Sequence, residues 1–98
     1  MMDQKLIIVA RLSVADKFVA ELGGAIQDLA SASRLEQGCI AYEVYRANDK
    51  TDGFLIYEVW GSDEEWCEHR SSLHMKKFKT VIQKWEVTVI VEKLLAID

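Results

Sequence analysis

The segment WEVTVIVEKLLAI, residues 85–97, places apolar side chains at both odd and even positions. Successive residues of an extended strand point to opposite faces, so a strand of this kind needs cover on both. The chain has 98 residues, read as one domain over 1–98, which is too short to supply helical layers on both sides of a sheet. A second copy packed sheet to sheet in a two-fold dimer resolves the conflict, because an exposed apolar face would otherwise favour aggregation. Half the residues are apolar and 29% are charged, the balance of a globular chain. The net charge is −4 with both signs interspersed and no basic patch, so nucleic acid is not an expected partner. No apolar run reaches the roughly 18 residues of a membrane helix, and no membrane association is expected. The opening MMDQKLIIVARLSV has polar breaks and no small-residue cleavage site, so it reads as a strand rather than a signal peptide. Cys39 and Cys67 follow no ligand spacing and read as reduced thiols of a cytoplasmic protein.

KLIIVARLSV at 5–14 is β-branched and apolar without helical period, which predicts a strand. Ile8, Ala10, Leu12 and Val14 share one face; Ile7, Val9, Arg11 and Ser13 share the other. Phe18, Leu22, Ile26 and Leu29 then recur at three- and four-residue steps, an amphipathic helix. Gly23 and Gly24 interrupt it, pointing either to close approach of a backbone or ligand or to a kink, and Gly38 reads as a turn residue. CIAYEVYRA (39–47) and FLIYEVW (54–60) read as strands of a hairpin joined by the turn-forming NDKTDG. Ser62 with Glu65 three residues on is a capping box that starts a helix. Ser71–Ser72 interrupts that helix, a second stretch covers about 73–84, and 85–97 is the last strand. The order β-α-β-β-α-β predicts an α+β, ferredoxin-like sheet with two helices on one face.

Chemistry concentrates in EVWGSDEEWCEHRSSLHMKKF, residues 58–78, which holds both histidines. His69 and His74 are five apart, roughly 140° on a continuous helix, whereas helical metal pairs are four apart. Only Glu68 or Cys67 stands nearby as a third ligand, so no metal is expected. Either histidine suits a general base, because imidazole titrates near neutral pH. Glu58 and Trp60 share a strand face with Phe54 and Ile56, and a carboxyl in apolar surroundings has its pKa raised unless it is paired. Arg11 is the expected partner, in a structural salt bridge or in a pocket walled by Trp60, with Tyr42 or Tyr57 as hydroxyl donors. Phe78, four residues after His74, is expected to pack beneath it. Trp66 and Trp85 are expected in the core or a dimer contact.

Three segments in order, VARL, GCIAYEVYR and YEVWGSDEEWCEHRSSLHMKKF, resemble the antibiotic biosynthesis monooxygenase family of dimeric α+β barrels, which includes quinol monooxygenases. The resemblance spans about residues 6–95. It departs in lacking proline after the first strand, before the Gly-Cys pair and before the second histidine, where the chain reads VADK, EQGC and SLH. The resemblance implies a cofactor-independent homodimer that oxidises a quinol-like or polyphenolic small aromatic substrate with dioxygen, through a substrate anion, electron transfer and recombination. His74 or His69 takes the proton in that reading, and Arg11, Tyr42, Tyr57, Glu58, Trp60 and Phe78 bind substrate. Haem-degrading relatives use an Asn on the first strand and a histidine on the last helix; here those places fall at Ala10 and near Phe78, so haem is not expected. Two other expectations stand beside the oxygenase: a non-catalytic dimeric small-molecule-binding or stress-response module, and an isomerase of a small carbonyl compound using the same base.

Overall fold

The computed structural model describes residues 5–47 and 53–97. Strand β1 (Leu6–Ser13) leads through a 3₁₀ turn (Asp16–Phe18) into helix α1 (Val19–Ser33). Strands β2 (Cys39–Arg46) and β3 (Gly53–Trp60) follow, then helices α2 (Asp63–Arg70) and α3 (Leu73–Lys84), then strand β4 (Thr88–Leu94). The four strands lie in the order β2-β3-β1-β4, and every neighbouring pair is antiparallel. This is the ferredoxin-like arrangement expected for βαββαβ, with the second crossover divided into two helices. The turn expected at NDKTDG falls largely at 48–52, outside the described residues.

The β1 pattern is realised face by face. Ile8, Ala10 and Leu12 point to the helices and are buried with Leu22, Ile26 and Leu29 of α1. Removing each of these leucine and isoleucine side chains from water contributes about 1.5–3 kcal/mol. The opposite face carries Ile7, Val9, Arg11 and Ser13, paired with Leu94, Glu92, Ile90 and Thr88 of β4. Described β4 residues are exposed on both faces, Ile90 at 58% and Val91 at 52%.

Two local expectations are corrected and one is sharpened. First, α1 runs unbroken through Gly23 and Gly24. A Cβ on Gly23 would meet only the Phe54 ring at ordinary contact, and one on Gly24 would meet nothing. Neither a kink nor a close backbone approach explains them. Second, Gly38 is the turn residue expected, inside the turn that the Cys39 N–H closes on the Glu36 carbonyl at 3.1 Å, but no described glycine has positive φ, so that turn does not need a left-handed residue. Gly38 is small because the Glu65 side chain lies directly on it, where any Cβ would collide with three carbons of that side chain.

Third, β4 begins at Thr88 rather than Trp85. Trp85 caps α3, Glu86 adopts φ 53°, and the N–H groups of Glu86 and Val87 donate to the carbonyls of Gln83 (3.4 Å) and Ile82 (2.9 Å). That is a Schellman cap, with glutamate in the left-handed position glycine usually fills. Without the glycine, the cap residues read as more strand.

Candidate functional site

Two serine caps bring the histidines to one place. The Ser62 Oγ accepts from the Glu65 N–H at 3.1 Å and starts α2; the Ser72 Oγ accepts from the Met75 N–H at 3.3 Å and starts α3. The Ser72 hydroxyl also donates to the His69 carbonyl at 2.6 Å, closing the joint between the helices. The chain therefore turns between His69 and His74, and the wide separation of a continuous helix does not apply. Both rings meet one residue, Glu36, in the connection between α1 and β2. Its Oε2 lies 2.6 Å from His69 Nδ1 and 2.7 Å from His74 Nε2.

A carboxylate oxygen only accepts, so each facing ring nitrogen donates. With its proton on Nδ1, neutral His69 keeps the Nε2 lone pair free on the other side of the ring. That nitrogen lies 3.9 Å from Glu58 Oε1. His69 is 2% exposed and its ring sits 4.5 Å from the Trp60 ring. Trp60, fully buried, donates Nε1–H to Glu58 Oε1 at 2.8 Å. The Tyr42 ring completes the group, 5.8 Å from His69.

Burial sets the protonation states. Desolvation raises the Glu58 carboxyl to about 7, against the lowering effect of the Trp60 hydrogen bond. Desolvation lowers the His69 imidazole, while the Glu36 hydrogen bond pulls the other way. Desolvation, followed by the Glu58 carboxyl, raises the Tyr42 hydroxyl well above its ordinary value, so it remains a donor. The 3.9 Å approach of His69 and Glu58 therefore sets an imidazole that burial keeps neutral beside a carboxyl that changes its protonation near pH 7.

These groups close one end of a cavity of about 140 Å³ between the sheet and α2–α3. Tyr42, Glu58 and His69 give it a polar end; Ile8, Ile56, Phe78 and Ile82 give it an apolar body, and Val89 and Val91 of β4 stand at its side. Trp66 and Arg70 also reach it, with the guanidinium over the indole at 4.6 Å. A larger trough of about 540 Å³, flanked by Arg11, Tyr45 and Ile90, runs over the opposite face of the sheet and holds neither histidine.

Of the residues singled out in the sequence, His69, Tyr42, Glu58 and Phe78 line the cavity, and Trp60 backs it. His74 lies outside it, against a shallow hollow formed with Phe78, Lys77 and α1. Arg11 and Tyr57 stand on the other face of the sheet: Arg11 is opposite Leu55 and Ile90, and Tyr57 is opposite Val9 and Glu43. The expected Arg11–Glu58 pair therefore does not form, and Glu58 is held by Trp60 instead. Glu36, Trp66 and Arg70 were not singled out as site residues. No spacing rule ties Glu36, in RLEQG, to histidines 33 and 38 residues away.

The expectation that only Glu68 or Cys67 could complete a metal site is also corrected. Glu36, His69 and His74 offer three donor atoms within 4.8 Å of one another. Zinc–nitrogen bonds are about 2.0–2.1 Å. A divalent ion would need the carboxylate oxygen, now at hydrogen-bond spacing between the rings, to withdraw. The two thiols are free, Cys39 half-buried and Cys67 exposed. Among the described residues no helix is long and apolar enough to cross a membrane.

The family model described as antibiotic biosynthesis monooxygenase matches residues 5–81. Among solved structures, the chain is similar to a Pseudomonas aeruginosa protein at 21% identity and TM-score 0.93, covering 100% of this chain and 99% of that one. It is similar to a Deinococcus radiodurans protein provisionally given the same family name, at 23% identity and TM-score 0.88, covering 95% and 93%. A Mycobacterium tuberculosis protein aligns at 22% identity and TM-score 0.88 over 96% of each. These likenesses are of fold. No curated protein matches in sequence.

Proposed function

The chain belongs to the antibiotic biosynthesis monooxygenase family, and from that premise we propose that it is a cytoplasmic, cofactor-independent monooxygenase acting on a quinol-like phenol. One observation carries the reading: His69 lines a largely apolar cavity at its polar end, and Glu36 holds its Nδ1, which leaves the Nε2 lone pair free. Such a pair of contacts fixes tautomer and ring orientation, which a general base requires.

In the proposed reaction the substrate hydroxyl gives its proton to His69 Nε2. Tyr42 and, in its protonated form, the Glu58 carboxyl donate hydrogen bonds to the resulting oxyanion. The electron-rich anion transfers one electron to dioxygen, and the superoxide and substrate radical combine at a ring carbon. Imidazolium returns the proton to the peroxide. Loss of water then leaves one oxygen atom in the product as a carbonyl; two hydrogens of the substrate and the second oxygen atom leave as that water. Glu36 is a positioning residue here, and His74 holds Glu36.

The outer face of the sheet is read as the contact with a second copy, because Leu55, Ile90 and Leu94 there are apolar and no helix covers them. An isomerase of a small carbonyl compound is the second reading. The observation favouring it is a carboxyl raised to about 7 standing 3.9 Å from an imidazole, an acid and a base in one cavity. Oxygen uptake with a panel of hydroquinones tests the first reading, and product mass separates the two, since isomerisation adds no oxygen. Uptake equal to buffer with folded protein, together with ligands recovered unchanged, would leave a binding module.

A further inference from the structure

Two imidazoles aimed at one carboxylate oxygen make a donor set as well as a hydrogen-bond cluster. Glu36, His69 and His74 come from three segments, and their donor atoms lie within 4.8 Å of one another. Around a tetrahedral zinc-type ion, with bonds of about 2.0–2.1 Å, ligand atoms stand about 3.3 Å apart. The Glu36 Oε2 is 2.6 Å from His69 Nδ1 and 2.7 Å from His74 Nε2. To surround such an ion the oxygen backs out by about 0.7 Å and the two rings close by at most about 1.5 Å. The side chains that must move are the freer ones: His74 is 25% exposed and Glu36 19%, whereas His69 is fixed at 2%. His74 opens onto the hollow beside Asp28 and Lys77, which gives an ion a way in. A second observation lies behind the cluster. A histidine that binds a metal through one nitrogen almost always donates its other N–H to a carboxylate, a carbonyl or water. Glu58 Oε1 stands 3.9 Å from His69 Nε2, held there by the Trp60 Nε1–H at 2.8 Å.

We propose that Glu36, His69 and His74 bind one divalent transition cation of the zinc type, and that the bound ion disables His69 as a base. Neither Glu36 nor His74 lines the cavity, so the ion sits behind His69 rather than against the substrate. Imidazole with carboxylate suits zinc, cobalt or iron(II), whereas magnesium and calcium take oxygen ligands. Three protein ligands leave a fourth position for water on the exposed side. A neutral imidazole carries one proton. With the ion on Nδ1, that proton sits on Nε2 and points to Glu58, so the lone pair that would take the substrate proton is gone. The binding half of the proposal stands by itself; the inhibitory half rests on the oxygenase reading.

The full chain, stripped of metal, is titrated with zinc and with cobalt(II) in competition with a chromophoric chelator. One ion per chain is expected, with the visible absorption of tetrahedral cobalt(II) and no displacement by magnesium in large excess. His74→Ala and Glu36→Gln are each expected to weaken binding at least about tenfold with the circular dichroism spectrum unchanged. In the nitrogen-labelled parent, zinc is expected to move the His69 proton from Nδ1 to Nε2 in long-range proton–nitrogen spectra, which reads the site even where a variant fails to fold. No binding, an ion held equally well by both variants (on the thiols of Cys39 or Cys67, for example), or a His69 proton that stays on Nδ1 overturns the site. Oxygen uptake with hydroquinone is expected to stop as zinc fills the site. Binding with the tautomer change but undiminished uptake upholds the site and removes His69 as the base; uptake by a parent that binds no zinc does the reverse. A parent without uptake removes the inhibitory half together with the oxygenase reading, and leaves the site to stand or fall on binding.

Discussion

The two faces of the sheet are made from similar side chains and meet different surroundings. On the inner face, Ile8 and Ile56 are sealed under helices, and a carboxyl, an imidazole and a phenol share their cover. On the outer face, Val9, Leu55 and Ile90 lie beside Arg11, Glu43 and Glu92, and Ile90 stays open. Polar groups on the inner face change their protonation because water is gone; the outer charges remain solvated. The proposed chemistry uses the first environment and the proposed association the second.

The largest expected effect tests whether the inner face holds the reactive group. His69→Gln keeps a polar side chain of similar reach but cannot act as the base; oxygen uptake, measured as kcat/KM, should fall about 10²- to 10⁴-fold. An unchanged rate would move the base elsewhere.

Next comes pH. The folded Glu58 carboxyl titrates at about 7, above its ordinary 4.5. Its contribution to stability is fully present below the unfolded value and is lost as pH rises through about 7. Glu58→Gln removes that loss, so the variant should gain on the parent between those pH values by up to about 3 kcal/mol in urea unfolding. A constant difference across the window would mean that Glu58 ionises freely and the cavity is wet.

A smaller effect is expected on the outer face. Val9→Lys with Ile90→Lys puts four cations into the proposed interface and should weaken a dimer about 30-fold or more by sedimentation. A parent that is monomeric at the same concentrations removes the comparison's second half. The smallest effect is at the end of α3, where Glu86→Gly relieves a left-handed glutamate and should raise stability by about 1 kcal/mol with turnover unaltered.

Much of this arrangement was legible in the residues. Alternation separated the two faces of β1, Ser62 and Glu65 announced α2, and Ser71–Ser72 marked the joint that lets both histidines converge. Glu58 and Trp60, two apart on a strand, had to share a face. What failed was anything crossing between segments. Which face of β1 joins Glu58 depends on strand register, and a shift of one residue exchanges the faces, so Arg11 was placed on the wrong side. Glu36 meets the histidines through tertiary packing alone.

Gly38 carries one further consequence. It follows Glu36 by two residues, and it is pressed by Glu65, which precedes His69 by one helical turn. The Gly61 N–H donates to the Gly38 carbonyl at 3.0 Å, locking the end of β3 to the same spot. A methyl group at position 38 would act as a wedge, prising the helix that bears the imidazole from the loop that bears its carboxylate. The spacing of imidazole and carboxylate is thus gauged by a missing carbon, at a residue with no titratable group of its own.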